Sequence, residues 1–103
     1  MTRVTIEQMT VDQLRERFTE IALAQDKAVR VDDSAAYNRL FRQMEAIEDE
    51  LARRDGDQRR ELLPLLDHAN AQIRLKAALA TLSVAPEVAR RTLQRISDRQ
   101  EYP

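Results

Sequence analysis

Apolar residues recur along this chain at intervals of three and four rather than two, which predicts helices and no strands. At about 100° per residue, Val11, Leu14, Phe18, Ile21, Ala22 and Val29 gather on one stripe. Leu23 falls off that stripe, either as a stray surface leucine or as part of a second contact face. Tyr37, Leu40, Phe41, Met44, Ile47 and Leu51 form a second stripe. It spans only about two heptads, short of the three or four that a coiled coil needs, so packing of the second helix against the first is expected.

The ends of these helices are written in cap residues. Thr10 with Gln13 forms a capping box ahead of the first stripe, and Met9 with Leu14 supplies a hydrophobic staple. Asp33 or Ser34 caps the second helix, which runs to about Arg54. Gly56 is the left-handed terminator of that helix, and Asp57 caps the next.

A third, short helix is expected over about Gln58 to Asp67, with Leu62, Leu63, Leu65 and Leu66 on one half of its circumference. Pro64 falls on the opposite half, where it leaves the carbonyl of Arg60 to water and introduces a slight kink. Asn70 caps a fourth helix running to about Val84. Ile73, Ala77, Ala80 and Val84 line one of its sides; Leu75, Ala78, Leu79 and Leu82 line the other. Only narrow polar strips, Arg74 with Thr81 and Gln72 with Lys76 and Ser83, separate them. A helix apolar on two sides must be covered on both, so the fourth helix is expected at the centre. Pro86 marks the first turn of a fifth helix, to about Asp98, where its missing N–H costs nothing. That helix turns Ala85, Val88, Ala89, Leu93 and Ile96 inward and a charged face outward.

The expected fold is therefore all-α: about five helices in one domain over residues 1–103, with a long hairpin at 10–54 and a helical layer at 58–98. A single glycine and three prolines leave little turn chemistry for sheets. No cysteine is present, which excludes disulfides, thiolate nucleophiles and zinc–thiolate sites. No apolar run approaches the ~20 residues that span a bilayer, and the first residues carry no signal-peptide core, so a cytoplasmic protein is expected.

The net charge of −1 conceals an asymmetry, −4 over residues 1–57 and +3 over residues 58–103. The cations are 15 arginines and only 2 lysines, so any basic surface presents planar guanidinium forks suited to carboxylate or phosphate.

From Leu62 to Leu82 the chain resembles a HEAT or armadillo repeat, with a proline-bearing first helix, a short turn, and the Ile73-Arg74 and Ala77-Ala78 spacing of a second. His68 and Asn70 stand where that pattern has acidic residues, and Ser83 where it often has glycine. The resemblance implies a right-handed α–α superhelix. The chain as a whole resembles a family of small bacterial helical proteins of unknown function, through Tyr37-Asn38-Arg39-Leu40-Phe41, Leu62 to Leu82, and Ala85-Pro86-Glu87-Val88-Ala89 on to Tyr102-Pro103. That resemblance implies a further helix beyond the Tyr-Pro pair and no activity.

Little in the sequence points to catalysis. Glu45 and Asp49 lie at i, i+4, but Asp49 and Glu50 also precede Arg53 and Arg54 by four, the orientation of helix-stabilising ion pairs. His68 is the only histidine, and in a turn beside Asp67 it is expected to bond backbone groups. No glycine-rich phosphate loop or nucleophile elbow is present. No catalytic, cofactor-binding or metal-binding residue is assigned, and no cofactor is expected. The expected function is a non-enzymatic protein–protein interaction module, an inhibitor or immunity type being one form of it. Arg74, Lys76, Arg91 and Arg95 are the candidate partner contacts. A homodimer through the apolar edge of the fifth helix is a further expectation. The alternative is a nucleic-acid binder using the arginine-rich C-terminal half. Against it stand a pI near 5.8 and the lack of stacking aromatics in that half before Tyr102.

Overall fold

The structure, a computed structural model, describes residues 4–100. The described residues are helical with no strand: α1 (Val11–Arg30), α2 (Ser34–Arg53), a 3-10 run (Gln58–Asp67), α3 (Ala71–Thr81) and α4 (Pro86–Asp98). A single 3-10 turn, Ile6–Gln8, precedes α1; the hydrophobic pattern does not announce it. The expected Tyr102-Pro103 boundary and the helix beyond it lie outside the described residues.

Local chemistry sets the helix ends. The Thr10 hydroxyl accepts the Gln13 N–H at 3.1 Å, and Gln13 Oε1 accepts the Thr10 N–H at 2.8 Å, completing the capping box. At the other end of α1 the Asp33 N–H reaches the Ala28 carbonyl and the Asp32 N–H reaches that of Val29. This is a Schellman closure with Asp32, rather than glycine, in the left-handed position at φ 56°. Asp33 serves twice, since its carboxylate also caps α2 through the Ala36 N–H. Gly56 is not the terminator expected for α2, which closes on Arg54 in extended backbone; at φ 78° it sits in the following turn, where the Asp57 N–H reaches the Arg54 carbonyl. Asn70 caps α3 through the Ile73 N–H.

α1 and α2 pack as a hairpin, and α3 lies between the 3-10 run and α4 while also resting on α1. The core joins Leu14, Phe18 and Ile21 to Met44, Ile47 and Leu51, and continues through Leu62 to Ile73, Ala77 and Ala78. Small residues let α3 approach its neighbours closely: Ala77 and Ala78, and Ala89 of α4, are fully buried. The central position expected for this helix is thus observed.

The third helix is a correction. Residues 58–67 form a ten-residue 3-10 run rather than an α-helix. At about three residues per turn, Leu62 and Leu65 make one row and Leu63 and Leu66 a second. The third row, Glu61, Pro64 and Asp67, is exposed, so the leucine spacing fits this period directly. Proline's fixed φ suits the geometry, but its missing N–H now frees the carbonyl three residues back, Glu61, and not that of Arg60. Arg15 Nη1 donates to that carbonyl at 3.1 Å.

Several burial expectations are also reversed. Val29, Phe41, Leu79 and Val88 are well exposed, whereas Gln25, Glu50, Gln72, Thr81 and Thr92 are buried. The two threonines return their hydroxyls to backbone carbonyls one turn back, Thr81 to Ala77 and Thr92 to Val88, and so enter the interior satisfied. Gln72 Nε2 bonds Gln25 Oε1 at 3.4 Å across α1 and α3. α3 ends at Thr81 rather than Val84, and the chain turns through Leu82–Val84 into α4.

Candidate interaction surface

The four candidate contact residues do not form one surface. Arg74 and Lys76, two positions apart on α3, point about 200° apart around the helix. Lys76 turns toward α2. Its Nζ donates to Tyr37 Oη at 2.9 Å and stands 5.3 Å from the Tyr37 ring centre and 5.9 Å from that of Phe41. The cation is thereby held over two aromatic faces. Phe41 (45 % exposed) and Leu79 (49 %) flank it, each from a different helix. Together with Met44, Glu45 and Glu48 they enclose a hollow of about 270 Å³. The Glu48 carboxyl there is held above its ordinary value, chiefly by burial and then by the charges of Asp49 and Glu45, against the pull of Lys76 and Arg59.

Arg74 and Arg95 do come together, with Arg99 and His68, around a separate polar hollow of about 460 Å³. Arg74 donates to the Ala69 carbonyl at 3.4 Å. His68 Nδ1 accepts the Asn70 N–H at 3.0 Å, the backbone role expected of it. Arg91 is exposed on α4 and lines neither hollow. Most of the α4 apolar stripe, Ala89 and Ile96 included, is covered within a single chain.

The acidic stretch of α2 resolves into pairing. Glu50 takes Arg54 at 2.9 Å and Arg53 at 3.0 Å, and these hydrogen bonds, Arg54 first, hold its carboxyl below the ordinary range. Arg54 also donates to the carbonyls of Met9 at 2.7 Å and Ile6 at 3.3 Å, tying the N-terminal turn to the end of α2. Among the described residues no group of three or more His, Cys, Asp or Glu is placed to hold a metal ion. None of the described helices is long and apolar enough to cross a membrane.

A further hollow, of about 630 Å³, lies elsewhere, between the outer sides of α1 and α2 beside the N-terminal turn. Its floor is Ile21, Ala46 and Ile47, Ile6 and Met9 form one wall, and Arg17, Arg39 and Arg42 stand around it. These three arginines are absent from the sequence-derived candidates. The signal was legible for Arg39, which has no carboxylate three or four positions away on α2, but not for Arg42, which has Glu45 three positions on.

Fold and surface together define a small all-helical protein with apolar and guanidinium-bearing hollows facing solvent. Residues 12–103 match the model of a domain of unknown function, DUF2019, and the chain belongs to that family. It is similar in structure to the protein RPA1889 from Rhodopseudomonas palustris CGA009, with a TM-score of 0.93 and 42 % identity. The match covers 98 % of this chain and 84 % of that one. No curated protein matches the chain.

Proposed function

We propose that this chain is a non-enzymatic protein–protein interaction module that docks a partner on the Tyr37–Phe41–Lys76–Leu79 face. One observation carries this reading: two large apolar side chains from different helices stay half-exposed on either side of a fixed lysine. An aromatic anchor, an aliphatic neighbour and an immobilised charge are the ingredients of an interface centre, where side-chain ordering has already been met in the free protein. Packing of α3 between the 3-10 run and α4 gives that face a rigid support, and we read the layer as a shortened HEAT- or armadillo-like superhelical unit acting in the cytoplasm. Of the sequence-derived contacts, Lys76 belongs to this face.

Affinity capture from the native host, run in parallel with wild type and Phe41→Glu, tests it. A protein retained by wild type and lost with the variant supports the reading. Equal retention by both removes this face from the interaction. The same preparations, weighed in solution, decide whether a homodimer forms.

A second reading has its own observation, the convergence of Arg74, Arg95 and Arg99 on one hollow. A nucleic-acid binder of this kind holds DNA or RNA at ~50 mM salt and releases it by ~200 mM. Failure to bind at the lower salt rejects it.

A further inference from the structure

The α1–α2 groove is built for something that brings negative charge. Every other arginine of α1 and α2 has a carboxylate partner: Arg15 with Asp12, Arg17 with Glu20, Arg30 with Asp26, and Arg53 with Glu50. Arg39 and Arg42 have none among the described residues, although residues 1–57 hold 13 acidic side chains. They are also i, i+3 neighbours, a like-charge arrangement that an isolated helix disfavours. Both line the same groove as Arg17, whose guanidinium reaches across to Gln43 Oε1 at 3.4 Å and so leans toward α2. Glu16 and Glu20 belong to an adjoining hollow on the α1 side, which leaves the α2 rim as the basic one.

Shape narrows the occupant. The groove runs from Arg39 to Ile47 along α2, about 12 Å at the helical rise, or two turns of a partner helix. Its α2 rim is exposed, so an occupant keeps its own outer side in water. A hydrocarbon tail would be left half-wet there, whereas an amphipathic helix is suited to it. Ala46, small and only half-buried, leaves room for an apolar side chain beside Ile6 and Met9. The wall is fixed in advance, because Arg54 holds the Ile6 and Met9 carbonyls.

We infer that the groove between α1 and α2 binds an acidic amphipathic helical segment of another protein, apolar side chains on Ile6, Met9 and Ala46, carboxylates on Arg39 and Arg42. This rests on the reading of the chain as an interaction module but uses a different face, so the two can fail separately.

The test is selection of a displayed library of random peptides on the whole chain, followed by titration of the enriched peptides against four proteins. These are wild type, Arg39→Glu/Arg42→Glu, Ala46→Trp, and Phe41→Glu as a control on the other face. Enriched peptides combining Asp or Glu with helically spaced apolar residues are expected. Their affinity should fall at least tenfold in the first two variants and stay within twofold in Phe41→Glu. Circular dichroism of each variant confirms that it is folded. Peptides lost only in Phe41→Glu overturn the groove while leaving the module reading in place. Enrichment of basic peptides, or of none, overturns the inference, as does saturable binding of dodecanoate in the groove with no peptide enriched.

Discussion

Arg15 and Pro64 are coupled through a carbonyl that belongs to neither. Proline cannot donate to the Glu61 oxygen that a 3-10 geometry offers it, and Arg15 Nη1, reaching from α1, donates at 3.1 Å instead. The same guanidinium holds Asp12 at 2.6 Å. One side chain therefore links the first helix to the one segment whose helix type departs from expectation.

A double-mutant cycle isolates that link. Arg15→Ala is expected to cost about 1 kcal/mol in denaturant unfolding, the size of a net hydrogen bond. In a Pro64→Ala background the cost should shrink, because the new N–H can bond Glu61 itself. The Asp12 contact and proline's effect on the unfolded chain cancel in the cycle. A coupling energy of zero would show that Arg15 acts through the Asp12 and Glu61 carboxylates and not through the carbonyl.

Gln25 and Gln72 are buried together, and Gln25 Nε2 has no partner among the described residues. Removing one amide leaves the other with nothing, whereas removing both relieves the desolvation of each. Gln72→Leu is therefore expected to destabilise by about 1–3 kcal/mol. The double variant Gln25→Leu/Gln72→Leu should recover most of that loss. Urea unfolding of the three proteins measures it; a double variant weaker than the single one contradicts the account.

Acid should act on stability in two opposite steps. Glu48 is raised in the folded protein, mainly by burial, so its contribution is full below the unfolded value and is lost as pH rises through the folded one. Glu50 and Asp57 are lowered, by hydrogen bonds from Arg54 and from Arg59 respectively, so theirs is present at neutral pH and lost as pH falls through the folded values. Melting temperature should thus rise slightly as pH is lowered toward 4.5, the ordinary glutamate value, and fall below it. Glu48→Gln should abolish the rise and leave the fall, which thermal scans across pH would reveal.

Asp32 closes α1 in a left-handed conformation that a side chain makes costly, though less so for aspartate than for most residues. Asp32→Gly is expected to stabilise by up to about 1 kcal/mol, the relief being partly offset by the freedom glycine adds to the unfolded chain. Asp32→Val should destabilise instead. Both are read from the midpoint of chemical unfolding.

The caps at Thr10, Asp33 and Asn70, and the proline start of α4, are legible in the sequence because each bond spans no more than a few residues. The two long stripes place Phe18, Ile21, Met44 and Ile47 inside for a related reason, since period alone selects a face. What period cannot select is how far around the helix a neighbour reaches. Leu79 and Phe41 are as apolar as the residues beside them, yet they stay half in solvent, while Gln25 and Gln72 are enclosed where α1 meets α3.

The arginines divide in the same way. Glu50 with Arg54 is an i, i+4 pair open to inspection along the chain, and so was the absence of any such partner for Arg39. That Arg39 and Arg42 share a groove with Arg17, and that Arg74 and Lys76 face different hollows, depends on helix packing. The sequence by itself determined an all-helical chain, the starts of its main helices and its central helix, because caps and hydrophobic period act within a turn or two. Tertiary structure decided the 3-10 geometry of residues 58–67, which side chains are wet, and which charges converge. Each of these depends on the surface of a second element, and no local pattern encodes that surface.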